Sequence, residues 1–458
     1  MLPEKFLMRM ETLLKEEYPL FLSAIQKPSV RAMRANLSKA DSDVLKNAFG
    51  EALSPIPYAP DAYIFDIPKI GNHPLHHAGA FYVQDPSAMA TLHALKVQKG
   101  WRVADFCAAP GGKASQLSAF VGEEGLLLAN EIDHGRCKVL AGNLERLGVR
   151  NVLLTNTDTG TLSSWYSSYF DLVLVDAPCS GEGMFRKYDY AQTEWSEEGV
   201  LSSSRLQKKI LDDAAGTVKG GGYLLYSTCT FSLEENEQNI DDFLARHPEF
   251  SIESVSAELL PVTSAGVAFD GAQNPDALRL TRRFYPHRAM GEGQYIALLK
   301  KKEDGKAASL LYRDASLPLS REEEKTVRAF LESVLSKDGY EKASSLTLIK
   351  YKDCVYLKNA LPLPPRSVYM PGICVGTITK GRLEPHHQLF SALGHLFERR
   401  EELSLESDAL AKYLRGETFE TVLPNGYAAV LVDGCALGGI KAVNGVAKNH
   451  YPKGLRTH

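Results

Sequence analysis

The chain has 458 residues, 44% hydrophobic and 24% charged, with a formal net charge of −4. This balance excludes wholesale disorder and any bulk attraction to a polyanion, so nucleic-acid contact has to come from local basic faces. Seven cysteines without a Cys-x-x-Cys pair exclude a disulfide framework and a zinc ribbon, and no apolar stretch approaches the roughly 20 residues of a membrane span.

The length suggests roughly three domains. At the N-terminus, Phe6, Leu7, Met10, Leu13 and Leu14 recur at helical spacing, with Glu4, Lys5, Arg9, Glu11 and Lys15 on the other face. This predicts one amphipathic helix over residues 1–22, built for packing rather than for secretion. A basic stretch (Arg31, Arg34, Lys39), a second helical patch and a Pro-rich strand at 63–67 follow. From Trp101, strands at 102–106, 125–129, 152–154, 172–175 and 223–226 alternate with helices at 113–120, 135–147, 204–218 and 233–245. That rhythm predicts a doubly wound parallel sheet, closed by an antiparallel strand at 294–299. The polar run 300–308 reads as a linker. Ser320 and Glu323 form a capping box that opens a helix to residue 335. Strands at 346–350, 355–357 and 373–378, a helix at 388–397, and strands at 427–432 and 438–443 complete the pattern. The last of these belong to a small β-rich module.

The chemistry gathers where strands end. Asp105-Phe106-Cys107-Ala108-Ala109-Pro110-Gly111-Gly112-Lys113 joins the first strand to a helix, with small residues that let backbone N–H groups approach a ligand. It is no P-loop, because Ala114 follows Lys113 and Cys107 stands where the first glycine belongs, and the dinucleotide fingerprint is also absent. A plain tight turn is the alternative for this segment alone. Glu131, at the end of the second strand, is placed to accept hydrogen bonds from ribose hydroxyls, and Asp158, after the third, to face an adenine edge. Each is also a candidate loop acid or helix cap.

Two cysteines follow apolar strands, Cys179 in Asp176-Ala177-Pro178-Cys179-Ser180-Gly181 and Cys229 in Ser227-Thr228-Cys229-Thr230. Cys107, Cys137, Cys354, Cys374 and Cys435 read as small core hydrophobes. Ser232-x-x-Glu235 suggests a helix starting just after Cys229, whose N-terminus favours the thiolate.

The segments 106–113, 176–181 and 227–230, with Gln84-Asp85-Pro86-Ser87 before them, resemble RNA cytosine-C5 methyltransferases of the Sun/RsmB/RsmF class. DNA cytosine methyltransferases share the chemistry but keep their nucleophile in the Pro-Cys motif. The tail, with Gly438-Gly439-Ile440-Lys441 and Lys448-Asn449-His450-Tyr451-Pro452-Lys453-Gly454-Leu455-Arg456, resembles the PUA-like module of the RsmF branch. The resemblance implies an α/β fold: a Rossmann-like methyltransferase core at 91–303, an N-terminal α+β RNA-binding subdomain at 1–90, an intermediate α+β domain at 309–382 and a PUA-like β-rich domain at 383–458.

It further implies that Cys107, Ala108, Ala109, Pro110, Gly111, Gly112, Lys113, Glu131, Asp158 and Asp176 bind S-adenosylmethionine. Cys229 is implied as the nucleophile, Cys179 as the thiol that aids release, and Asp176 as the holder of the base edge. The expected product is 5-methylcytidine in small-subunit (16S) rRNA, made in the cytoplasm by a monomer with no metal and no membrane partner. The alternatives are a tRNA cytosine-C5 methyltransferase and a non-catalytic ribosome-assembly factor. Arg279, Arg282, Arg283, His287 and Arg288, interleaved with Phe284 and Tyr285, read either as an RNA-contacting stretch or as solvated charge, as do Lys448, Lys453 and Arg456.

Overall fold

A computed structural model describes residues 2–40, 42–359 and 361–457, apart from the side chain of Ser42. The apolar runs of the central third form strands β1 (Arg102–Asp105), β2 (Leu126–Asn130), β3 (Val152–Thr155), β4 (Phe170–Asp176) and β5 (Val218–Thr228). They pair in parallel in the order β5-β4-β1-β2-β3. Alternate residues of β4 enter opposite cores. Leu172 and Leu174 pack with Leu117 and Val121 of α1 (Gly112–Val121) and Leu140 and Leu144 of α2 (His134–Arg146). Val173 and Val175 pack with Ile210 and Leu211 of α3 (Glu197–Ala215) and Ile240 and Phe243 of α4 (Glu237–Arg246). Burial on both faces is why these strands read as continuous apolar runs.

The strand order reverses between β1 and β4, and in such sheets the ligand crevice opens at the carboxyl ends beside that switch. Beyond β5 the sheet turns antiparallel. Strands β6 (Phe250–Glu253), β7 (Ser264–Ala265), β8 (Arg282–Phe284) and β9 (Gln294–Lys301) extend it in the order β7-β8-β9-β5, with β6 also on β9. The far edge holds a strand that sequence periodicity did not suggest. Strand β10 (Val368–Met370) crosses from the intermediate region to pair with β3.

The N-terminal region is α+β, as expected, but its helix is not continuous. Lys15 turns the chain with φ 51°, and Glu4–Leu14 and Tyr18–Ile25 fold back to bury Phe6, Met10 and Phe21 against Phe185, Phe231 and Tyr285 of the core. A four-stranded antiparallel sheet follows, ordered Leu53–Ile56, Ala59–Phe65, Ala32–Ala35, Phe81–Val83.

Two basic segments take up structural roles. Arg34 is buried, and Lys39 donates to the carbonyls of Ala78 (2.8 Å), Arg146 (3.0 Å) and Ala436 (2.8 Å), joining three domains through one ammonium. Arg283 is buried against Glu237, Arg282 donates to Thr263, and His287 and Arg288 both engage Glu17. Phe284 and Tyr285 are buried, which leaves Arg279 as the exposed cation of this stretch with no structural partner among these groups. Lys448 and Lys453 are exposed, whereas Arg456 donates to the Tyr451 carbonyl.

Downstream, the Ser320–Glu323 capping box opens helix Arg321–Val334 as the sequence predicts. The intermediate sheet runs Thr347–Tyr351, Cys354–Lys358, Ile373–Thr379, Arg382–Pro385, so its last hairpin straddles the expected 382/383 boundary. Helix His387–Leu393 lies between this sheet and the five-stranded C-terminal sheet, where Leu389 and Phe390 pack with Val375 on one side and with Ala429 and Leu431 on the other.

Glu237 and Arg283 are 0% and 1% exposed, so Arg283→Met leaves a buried carboxylate without its cation. Loss of one partner from such a pair costs about 3–5 kcal/mol, and differential scanning calorimetry should show a clearly lowered Tm. The double variant Glu237→Leu/Arg283→Met should recover part of the loss.

Candidate active site

The loop from β1 to α1 is walled by two domains. Gly111 takes φ 112° as the N-cap of α1, a conformation that favours glycine. A Cβ on Gly112 would stand 3.0 Å from the side chains of Tyr82 and Gln84 of the N-terminal region, so any larger residue requires those side chains to give way. From the same side, Arg34 donates to the Gly112 carbonyl (3.2 Å) and to Ser115 Oγ (2.8 Å).

Asp105 closes β1 with one oxygen accepting the Cys107 N–H (3.3 Å) and the other buried without a partner. Burial, reinforced by the charge of Asp176, pushes its carboxyl up to about 8. Asp105 belongs to the quoted motif but was not among the sequence candidates; its signal is a carboxylate at a strand end ahead of a glycine turn. Lys113, also buried, meets Asp176 Oδ2 at 2.9 Å, while Ser227 Oγ (2.6 Å) and Gln294 Nε2 (3.3 Å) donate to Asp176 Oδ1. Burial acts to lower the Lys113 ammonium, but Asp176 outweighs it and holds the group above the ordinary lysine value. Burial raises the Cys107 thiol well above its ordinary value, so it remains a thiol.

Glu131 is buried at the end of β2, accepts the Asp133 N–H (2.9 Å) and stands 3.5 Å from Arg136. Asp158 caps helix Thr159–Ser163 through the Thr161 N–H (2.9 Å), a bond that holds its carboxylate below the usual range. It is exposed and does not line the cleft described below.

The two cysteine loops meet. Cys179 Sγ and Cys229 Sγ lie 3.2 Å apart, both as free thiols. Two buried carboxylates stitch the loops together. Glu182 accepts from Trp195 Nε1 (3.0 Å), Thr230 Oγ1 (2.9 Å), the Phe231 N–H (2.8 Å) and Ser232 Oγ (2.7 Å). Glu235 accepts from the Ser180 N–H (2.9 Å), Ser180 Oγ (2.5 Å) and Gln207 Nε2 (2.8 Å). Burial is the leading reason that Glu235 is pushed up to about 7.

This arrangement corrects the sequence reading of Ser232 and Glu235. They are no capping box; α4 begins only at Glu237, without a side-chain cap, because both side chains are taken by the other loop. The cation near Cys229 is Lys113, whose charged form Cys229 helps to favour. Cys179 is held well above an ordinary thiol, first by its hydrogen bond to Cys229 and then by burial, and either sulfur can be the donor of that bond.

A cleft of about 870 Å³ opens over Asp105, the 107–113 loop, Asp176 and Cys229. An adjoining space of about 580 Å³ extends past Cys179 to Trp195, sharing Cys107, Arg136, Asp176 and Cys229 with the first. Carboxyl, ammonium and thiols thus converge at the switch point on a space large enough for a nucleoside and a base. Among the described residues, no helix is long and apolar enough to cross a membrane, and no group of His, Cys, Asp or Glu is arranged to hold a metal ion.

Comparison with known proteins identifies the family. Residues 92–300 match the family model of the 16S rRNA methyltransferase RsmB/F, residues 2–86 the N-terminal domain of 16S rRNA methyltransferase RsmF, and residues 400–457 the methyltransferase RsmF PUA domain. A Vibrio vulnificus protein named ribosomal RNA small subunit methyltransferase F is 30% identical over 470 residues, covering 99% of this chain and 97% of that protein. The chain belongs to the RsmB/F family of 16S rRNA methyltransferases. It is therefore an RNA-methylating enzyme with a Rossmann-like core, an RsmF-type N-terminal domain and a PUA-like C-terminal domain.

Within the RsmB/F family, a Klebsiella pneumoniae protein of the same name is 34% identical over 65% of this chain and 63% of its own length. Among solved structures, a methyltransferase homolog protein from Pyrococcus horikoshii superposes with TM-score 0.55 at 29% identity, covering 64% of this chain and 93% of that one. NSun6 from the same organism, solved with SFG, gives TM-score 0.57 at 22% identity over 66% of this chain and 99% of its own, a likeness of fold.

Because the folded-state carboxyl of Asp105 titrates near 8 rather than near its ordinary 3.8, the folded chain binds more protons than the unfolded chain between those values. Its contribution is full below pH 3.8 and is lost as pH rises through about 8. In cofactor-free protein, Asp105→Asn should flatten the fall in urea midpoint from pH 5 to pH 8. An unchanged slope would show that this carboxyl ionises normally.

Proposed function

We propose that this chain forms 5-methylcytidine in 16S rRNA, with S-adenosylmethionine as methyl donor and Cys229 as a covalent catalyst. The observation that carries this reading is the 3.2 Å approach of the Cys179 and Cys229 thiols beside a nucleoside-sized cleft.

S-adenosylmethionine, when bound, supplies the methyl group. The unpartnered oxygen of Asp105 and the small-residue turn that lines the cleft at Ala108, Ala109 and Gly112 fit such a ligand, and residues Cys107–Lys113, Glu131, Asp158 and Asp176 would hold it. Glu131 already lies beside a cleft residue, Arg136, whereas Asp158 would have to leave its capping bond to take part.

Cytosine C5 is a poor nucleophile. Addition of the Cys229 sulfur to C6 forms an S–C6 bond and turns C5 into an enamine-like carbon. Asp176, oriented by Lys113, Ser227 and Gln294, is positioned to hold the N3/N4 edge as charge shifts into the ring. Once C5 carries the methyl group, water in the open cleft takes the C5 proton, and the C5–H electron pair forms the C5–C6 double bond and expels the Cys229 thiolate. The Cys179 thiol, raised well above its ordinary value and 3.2 Å from that sulfur, is then the hydrogen-bond donor that stabilises the departing thiolate. The target base has to leave its stack to reach this site, at a cost of a few kcal/mol that is smallest where the RNA is already unpaired.

With labelled S-adenosylmethionine and 16S rRNA from a strain lacking this protein, Cys229→Ala should reduce methyl transfer to background and form no adduct. Cys179→Ala should accumulate a covalent protein–RNA band on a denaturing gel, with turnover slowed at least about tenfold. An adduct formed by Cys229→Ala would reverse the two roles, and bisulfite sequencing without a new protected cytosine would sink the C5 assignment.

A further inference from the structure

Between the Cys179 loop and α3, the chain crosses the mouth of the cleft at residues 186–190. Tyr188 and Tyr190 remain 45% and 59% exposed there, yet stack on each other with centroids 5.2 Å apart and planes 25° from parallel. Two large rings left side by side in solvent, with an open face on each, form a flat apolar surface of the kind that marks a binding site. Both rings line the space that holds Asp176 and Cys229, and Tyr190 also lines the space beside Cys179.

The segment that carries them is anchored. The Arg186 guanidinium is buried on Glu292 (2.5 Å), the Gly291 carbonyl (2.5 Å) and the Ala24 carbonyl (3.2 Å). Lys187 reaches Asp85 at 3.0 Å, and beyond the rings Gln192 Nε2 donates to the Phe185 carbonyl at 2.6 Å. These bonds fix the backbone on either side of the tyrosines, so the rings are presented rather than loosely tethered. Two exposed arginines line the same cleft and add positive charge for a phosphate backbone: Arg31, whose guanidinium lies over the Phe65 ring, and Arg136, which donates to the Ala109 carbonyl at 3.0 Å.

We propose that Tyr188 and Tyr190 form a stacking platform for an unpaired base next to the target nucleotide, a proposal that rests on RNA being the substrate. When the target base swings toward Cys229, its neighbour loses a stacking face, and the tyrosine pair supplies a replacement. Aromatic stacking accepts any base, so the platform contributes affinity and strand direction without reading sequence. The hydroxyls have no required part in it.

The test compares Tyr188→Ala/Tyr190→Ala and Tyr188→Phe/Tyr190→Phe with the wild-type chain. The alanine pair should raise KM for 16S rRNA about tenfold or more, with KM for S-adenosylmethionine within about twofold of wild type, and the phenylalanine pair should behave as wild type. A single-stranded oligoribonucleotide with 2-aminopurine on both sides of one cytosine should be quenched on binding by the wild-type and phenylalanine proteins, and markedly less by the alanine protein at saturation. That readout needs no turnover, so it judges the platform even if the Cys229 chemistry fails. Equal quenching by all three proteins, an unchanged KM for rRNA in the alanine pair, or a phenylalanine pair as impaired as the alanine pair would overturn the proposal.

Discussion

Two carboxylates without access to water hold the centre of this molecule together. Glu182 and Glu235 each gather donors from the loop that their own chain segment does not supply: Glu182 takes Thr230, Phe231 and Ser232 from beyond β5, and Glu235 takes Ser180 from beyond β4. A carboxyl is costly to bury unless its oxygens have hydrogen-bond partners, so neither loop can relax without leaving polar atoms of the other unsatisfied. The two sulfurs, hydrogen-bonded at 3.2 Å, sit within the loops that this mutual dependence holds together. The aromatic cluster of Phe6, Phe21, Phe185, Phe231 and Tyr285 seals the outer side of the same loops.

The N-terminal region is consequently part of the catalytic core rather than an appendage. Tyr82 and Gln84 press on Gly112, Arg34 binds the first turn of α1, and Asp85 receives Lys187 from the opposite wall of the cleft. Lys39 ties this region to α2 and to the C-terminal sheet at once. A sheet that looks, from its position in the chain, like a separate module therefore shapes the glycine-turn side of the cleft.

What was legible in the sequence follows from periodicity. The parallel strands are buried on both faces and announce themselves as apolar runs, and the motifs at their ends inherit their positions from the switch point of the sheet. Features decided by partners far along the chain were not legible. Ser232 and Glu235 carry the spacing of a capping box, but Glu182 and Ser180, about fifty residues away, take both side chains. Arg283 looks like a nucleic-acid contact until Glu237 is seen to neutralise it in the interior. Asp105 carries a local signal, an acid at a strand end ahead of a glycine turn, but its unpartnered oxygen depends on burial by distant segments. Asp158 was noticed, and the structure shows it occupied as a cap.

Strand β10 bears on what counts as a domain here. It lies along β3 with Val368 opposite Thr155 and Met370 opposite Leu154, and Asn156 donates to the Ser367 carbonyl at 2.8 Å. An open sheet edge invites pairing with another chain, and proteins blunt it with cover or charge. In this molecule the cover for the Rossmann-like sheet is encoded more than sixty residues after its last core strand, within the intermediate region. A polypeptide ended at residue 303 would hold every residue of the cleft and still present β3 bare to its neighbours. The chemistry and the means of keeping that sheet solitary are thus carried by different stretches of the chain.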